Sequence, residues 1–198
     1  MSILVINSGS TSVKYKLFSD DEEEIKQGNI GNVADHQAAL KQVLRDVGGL
    51  QDLSAVGHRV VHGGHKFSKP LLINQDNFLE LEQFNNLAPL HNPYNLAGIK
   101  AAIGYLPQIK QVAVFDTAFY ANLPEISRLY ALPVEISEKY KIYRYGFHGT
   151  SHKYVMQESA KLLKTEINKI NLISCHLGGG WSITAIKKMA SRLILLWV

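Results

Sequence analysis

Residues 3–18, ILVINSGSTSVKYKLF, constrain the fold of this 198-residue chain more than any other stretch. The apolar run at 3–6 predicts a buried strand. It gives way to Asn7-Ser8-Gly9-Ser10, small and polar residues that predict a tight turn. A second strand then puts Val13, Tyr15 and Leu17 on one face and Lys14 and Lys16 on the other. Such a turn offers backbone N–H groups, an amide and several hydroxyls at one point, with Lys14 nearby. Anions need converging donors and little side-chain bulk, so the turn is suited to a phosphate. An ordinary β-turn has the same letters, and the rest of the chain must decide.

The remaining punctuation predicts an α/β chain. The acidic residues 20–24 read as a solvated turn before a strand at 25–30. Leu40, Val43, Leu44 and Val47 have helical spacing within 34–47, and Gly48-Gly49 ends that helix. Strands are expected at 55–62, 111–115, 171–175 and 181–186, and helices at 77–87, 95–105 and 153–164. Pro89 and Pro93 bracket a rigid segment, and residues 121–140 read as short helices and loop.

Four constellations carry candidate chemistry. In HRVVHGG, alternation sets His58, Val60 and His62 against Arg59 and Val61. A guanidinium beside an apolar side chain suits a small carboxylate with a methyl end, although a structural ion pair explains Arg59 equally well. His58, His62 and His65 do not read as a metal set, because His65 lies beyond the double glycine. Asp116 ends an apolar strand, at the edge where α/β sheets bind ligands; there a carboxylate can hold Mg²⁺, orient a nucleophile, or simply cap a turn. In GFHGTSH, His148 sits between glycines before a helix that Thr150 or Ser151 can cap, where negative charge is favoured. In SCHLGGG, a strand runs into Gly178, Gly179 and Gly180 and then another strand, repeating the logic of the first hairpin. Two such turns facing across a cleft can clamp a nucleotide phosphate chain. No G-x-x-x-x-G-K-[ST] phosphate loop occurs.

Composition narrows the setting. Apolar residues make up 46% and charged residues 19%, which is ordinary for a globular protein. No apolar run reaches transmembrane length and no signal-peptide pattern opens the chain, so no membrane partner and a cytoplasmic location are expected. The single Cys175 fits a reducing compartment. The net charge is +4, but Lys187, Lys188 and Arg192 supply most of the excess, so it does not point to nucleic acid.

Taken together, VINSGSTSVKY, GHRVVHGG, LAPLHNP, VAVFDTAF, RYGFHGTSH and HLGGG resemble the acetokinase family of the sugar kinase–Hsp70–actin superfamily, in its order and spacing. The resemblance covers residues 1 to about 186. It implies a ribonuclease H-like, actin-like α/β fold: an N-terminal lobe over 1–119 and an incomplete start of a second lobe over 120–188. It implies ATP:acetate phosphotransfer with Mg²⁺ or Mn²⁺, yielding ADP and acetyl phosphate by in-line transfer. Arg59, Asp116 and His148 would be catalytic. Arg59, Val61, Leu90 and Phe147 would bind the acid, with the last three around its methyl. Asn7, Ser10, Ser12, Lys14, His176, Gly178, Gly179 and Gly180 would hold phosphates, and Asn7 and Asp116 would serve the metal.

Two departures qualify this. Gly179 stands where the family has asparagine, which removes one side-chain donor. The family is also about twice as long. Its second half implies a further arginine, an Mg²⁺-linked glutamate, the adenosine turn and most of a homodimer interface. An inactive truncation is therefore expected; a propionate or other short-chain carboxylate kinase and a non-catalytic acyl- or phosphate-binding module remain alternatives. Residues 189–198 do not continue the family pattern. A shifted reading of one possible set of codons does, so they are expected to be an out-of-frame tail without selected structure.

Overall fold

The computed structural model describes residues 1–48, 52–187 and 191–197, the last segment as backbone alone. Residue contacts divide the chain into two compact units, Met1–Phe115 and Asp116–Val198. Among the described residues, no helix is long and apolar enough to cross a membrane.

The first unit is a six-stranded sheet with helices. Strands β1 (Ser2–Ser8), β2 (Ser12–Ser19) and β3 (Glu24–Gly31) form an antiparallel meander. β4 (Leu53–Val60) lies parallel to β1 and β6 (Lys110–Phe115) parallel to β4; the two-residue β5 (Leu71–Leu72) pairs antiparallel at the edge. The sheet order β3-β2-β1-β4-β6-β5 follows from α1 (His36–Val47) and α3 (Asn92–Tyr105), because parallel strands need crossover connections. α2 (Gln75–Glu82) is shorter than expected. Asn74 and Asn77 close a reciprocal capping box at its start, and a 3-10 turn over Asn85–Leu87 follows it.

Period-two alternation explains the core. Leu4, Ile6, Val13, Tyr15 and Leu17 bury one sheet face against Leu40 and Val43 of α1, Ala101 and Ala102 of α3, and Leu106 just past its end. On the opposite face Ile3 and Val5 stay 41% and 38% exposed, so β1 is half-buried rather than enclosed. α1 starts where the Asp35 side chain accepts from the Gln37 amide and ends at Gly48 in the left-handed region. Gly49 lies outside the described residues.

Several boundaries differ from the sequence reading. Asn7 and Ser8 belong to β1, and the turn is Gly9–Ser10–Thr11, closed by the Gly9 amide on the Ser12 carbonyl at 2.8 Å. The ladder persists because Asn7 and Ser8 pair with Lys14 and Val13. β4 ends at Val60, so the alternation that set Val61 beside Arg59 stops one residue early. α3 starts at Asn92, with Pro93 in the first turn, where a missing N–H costs nothing.

In the second unit, Asp116–Tyr120 forms a 3-10 turn, followed by α4 (Glu125–Arg128), α5 (Val134–Tyr140) and α6 (Gly149–Leu162). β7 (Asn171–His176), β8 (Ser182–Lys187) and β9 (Ser191–Trp197) form an antiparallel sheet in that order. The hairpin expected around the three glycines is present. β9 was not expected; it falls in the stretch read as an unselected tail, of which residues 188–190 and 198 lie outside the described residues. Phe119, Tyr120, Leu123, Met156, Ala160, Ile170 and Ile186 form this unit's core.

Candidate active site

In the first unit, parallel pairing brings the end of β1 beside the end of β4. Arg59 Nη1 donates to Asn7 Oδ1 at 3.4 Å, a long bond, and Lys14 stands opposite Asn7 in the β1–β2 register. Ser10 and Lys14 are exposed, Ser12 is half-buried, and Leu90 is 74% exposed. Val61 is buried, and its amide donates to Asn95 Oδ1 at 3.0 Å.

α3 fixes this corner. Asn95 Nδ2 donates to the Ser8 carbonyl at 2.5 Å, and Asn92 both accepts from the His62 amide at 3.0 Å and donates to the His62 carbonyl at 2.8 Å. His36 of α1 reaches the turn, its Nε2 lying 3.0 Å from the Gly9 carbonyl, which can only accept. Gly98 is required here: a Cβ on it would lie 2.7 Å from the Cβ of Ser8. His58 is buried with Nε2 donating to Gln111 Oε1 at 2.8 Å, and burial lowers its pKa to about 4 despite that bond. Burial also lowers His62 to about 4, and its Nδ1 accepts from the Gly64 amide at 2.8 Å. Both imidazoles are neutral supports near pH 7.

In the second unit, Asp116 is fully buried and its Oδ1 accepts from Thr150 Oγ1 at 2.9 Å. His148 is the N-cap of α6, at φ 54° and ψ 26°, an uncommon conformation for a residue with a side chain. The next residue must be glycine, since a Cβ on Gly149 would lie 2.1 Å from the Asp116 carbonyl oxygen. Thr150 and Ser151 do not cap the helix. They lie inside its first turn, and their hydroxyls meet Asp116 Oδ1 and, at 2.9 Å, His176 Nδ1. The His148 and His176 rings stack with centroids 4.1 Å apart. Phe147 is half-buried, and its carbonyl accepts from the Tyr120 hydroxyl at 3.2 Å. Gly178 and Gly179 are open, while a Cβ on Gly180 would come within 3.6 Å of His148 Nε2.

Behind His148 lies a set of groups that sequence reasoning missed. Ser182 Oγ is 2.9 Å from His148 Nδ1 and 2.8 Å from His152 Nε2, and His152 Nδ1 is 2.8 Å from Ser174 Oγ. Burial lowers His152 to about 4, helped by His176 and His148 and opposed by Asp116.

Among the described residues, no group of three or more His, Cys, Asp or Glu side chains is placed to hold a metal ion. Mg²⁺ does not need such a cage. It keeps several waters and takes one or two carboxylates plus phosphate oxygens. A lone carboxylate such as Asp116 fits that chemistry and does not fit a closed zinc site.

Comparison with known proteins decides the family. The model of the acetokinase family matches residues 19–191. The chain belongs to the acetokinase family. It is 45% identical to an acetate kinase of Thermosipho melanesiensis, over 94% of this chain and 54% of that protein. It is 41% identical to an acetate kinase of Thermotoga maritima, with the same coverage. Among solved structures, a Porphyromonas gingivalis acetate kinase superposes with TM-score 0.88 at 37% identity, over 97% of this chain and 56% of that one. A Francisella tularensis propionate kinase also gives 0.88, at 38% identity and the same coverage. The fold is thus the actin-like α/β fold that the family resemblance implied. The acetokinase chain described here spans about half the length of the curated relatives it matches.

The missed residues left only faint signals in the sequence. Asn92 and Asn95 are polar interruptions in an apolar helix, and His152 is the second histidine of GFHGTSH at helical spacing from His148. Nothing local marks Ser174 or Ser182, whose partners lie 22 to 34 residues away.

Proposed function

We propose that this chain carries acid- and phosphate-handling groups of an ATP:acetate phosphotransferase, and that the 198 residues alone bind ligand without turning over. The observation that carries the reading is 45% identity to an acetate kinase across 94% of the chain. The chemistry of the candidate residues suits it. Arg59, steadied by Asn7, offers forked N–H donors to a carboxylate or phosphoryl group, and Lys14 adds positive charge near the first turn. Val61, Leu90 and Phe147 are apolar candidates for the acid's methyl group. His148 donates a hydrogen bond to phosphoryl oxygens as charge moves, at a helix N-terminus that favours negative charge. Ser10, Ser12, His176 and the Gly178–Gly179–Gly180 turn hold phosphate oxygens. Asp116 and Asn7 are each candidates for serving Mg²⁺, which when bound would neutralise charge on the phosphates. In-line transfer requires mainly positioning and charge neutralisation, and these side chains suit both tasks.

A propionate-preferring reading has one observation behind it, the equal superposition on a propionate kinase. Coupled assays for acyl phosphate formation from ATP with acetate or propionate test the reading. Turnover below about a hundredth of a typical enzymatic kcat of roughly 10 s⁻¹ is expected with either acid. Faster turnover by the purified chain would overturn the inactivity. A clear preference for propionate would move the assignment to that acid.

A further inference from the structure

We propose that Ser174, His152 and Ser182 form a positioning relay that fixes His148 in the tautomer carrying its proton on Nε2. The functional meaning rests on the reading of His148 as a donor to phosphoryl oxygens.

The four groups form one hydrogen-bonded line: Ser174 Oγ to His152 Nδ1 at 2.8 Å, His152 Nε2 to Ser182 Oγ at 2.8 Å, and Ser182 Oγ to His148 Nδ1 at 2.9 Å. Ser174 and Ser182 are 2% exposed and His152 is fully buried, so these atoms have little recourse to bulk water. His152 is neutral near pH 7 because burial holds its pKa at about 4, and it therefore carries one ring proton. A line of this kind can run in two directions. In one, Ser174 donates to His152 Nδ1, His152 Nε2–H donates to Ser182, and Ser182 donates to His148 Nδ1. Every proton between the four groups then meets an acceptor, and the His148 ring proton is on Nε2, at the less buried end of the line.

In the reverse direction His148 Nδ1–H donates to Ser182, Ser182 to His152 Nε2, and His152 Nδ1–H to Ser174. The Ser174 hydroxyl proton is then left over, and among the described residues Ser174 Oγ has no other partner. A buried donor without an acceptor is costly, so the first direction wins. Its consequence reaches the other nitrogen of the half-buried His148 ring. Nε2 presents an N–H, which a phosphoryl oxygen can accept, rather than a lone pair, which it would repel. Ser174 and Ser182 are positioning residues, because they act only through the two imidazoles.

The test is nitrogen NMR of the full chain with ¹⁵N-labelled histidine, well above the ordinary histidine pKa of about 6.5. Correlations between ring carbon-bound protons and nitrogens report the tautomer directly, with no need for catalysis. The expected result is a single Nε2–H tautomer for His148, with Nδ1 accepting a hydrogen bond. Ser182→Ala should shift His148 to an exchange average with a measurable Nδ1–H share, and Ser182→Thr should restore the native signal. An Nδ1–H form or an even mixture in the unaltered chain would overturn the relay, even if Ser182→Ala does not fold. So would a folded Ser182→Ala whose His148 signals are unchanged. Failure of the phosphotransfer reading would appear in ligand binding and leave the tautomer as expected; failure of the relay would do the reverse.

Discussion

At the scale of single residues, backbone approach decides as much as side-chain chemistry. Gly149 touches the backbone of the Asp116 turn, and a methyl group there would lie 2.1 Å from a carbonyl oxygen and 2.6 Å from the Phe119 Cβ. Neither atom belongs to a flexible side-chain end, so the N-terminus of α6 would have to move away. Gly149→Ala should therefore destabilise the second unit by about 3 kcal/mol or more, beyond the usual range for overpacking. Urea unfolding read by a probe in that unit checks this, and a loss near zero would contradict the packing. Gly179 behaves differently: nothing lies within 4 Å of a Cβ there, so a side chain at 179 is sterically free.

At the scale of elements, β4 shows how a strand can bury one ionisable group, His58, and leave the next, Arg59, only half-buried. His58 lies in the core at about 4, below the roughly 6.5 of an unfolded histidine. As pH falls, the unfolded chain therefore takes up this proton first. The stabilising contribution is complete above about pH 6.5 and is lost as pH falls toward 4; fully developed, it amounts to roughly 3 kcal/mol. His62, also lowered to about 4, acts in the same direction and window. Urea unfolding of the first unit should show stability falling from neutral pH to about pH 5, with a shallower slope in His58→Gln. An unchanged slope in that variant would contradict the burial argument. The strands and helices were legible because alternation and helical spacing are local signals. The register of the β1–β2 hairpin was legible within two residues, but Asn7 and Ser8 read as a turn because small polar residues outvote the ladder they in fact continue. β9 was not legible, because its apolar letters give no period. The relay behind His148 and the asparagines of α3 were not legible because their partners are set by packing across the sheet and helix of each unit.

At the scale of the whole molecule, several large apolar side chains among the described residues are in contact with water. Ile126, Leu162, Leu177 and Ile173 are 90%, 83%, 75% and 68% exposed, and Ile3 and Val5 lie on the less covered face of the first sheet. Such surface favours association and binding of apolar dyes. Light scattering should therefore show self-association that rises with concentration, together with dye fluorescence in the native state; a monodisperse monomer that binds no dye would contradict this. The central claim is that the chain holds the acid- and phosphate-binding groups of an acetokinase, with Arg59 foremost. Calorimetric titration of the purified chain with acetyl phosphate tests it most directly, beside Arg59→Ala with an unchanged thermal melt. The expected result is saturable binding by the native chain, weakened roughly tenfold or more in the variant, as loss of a charge-assisted contact of about 1.5–3 kcal/mol requires. No saturable binding by the native chain, or equal affinity in Arg59→Ala, would contradict it.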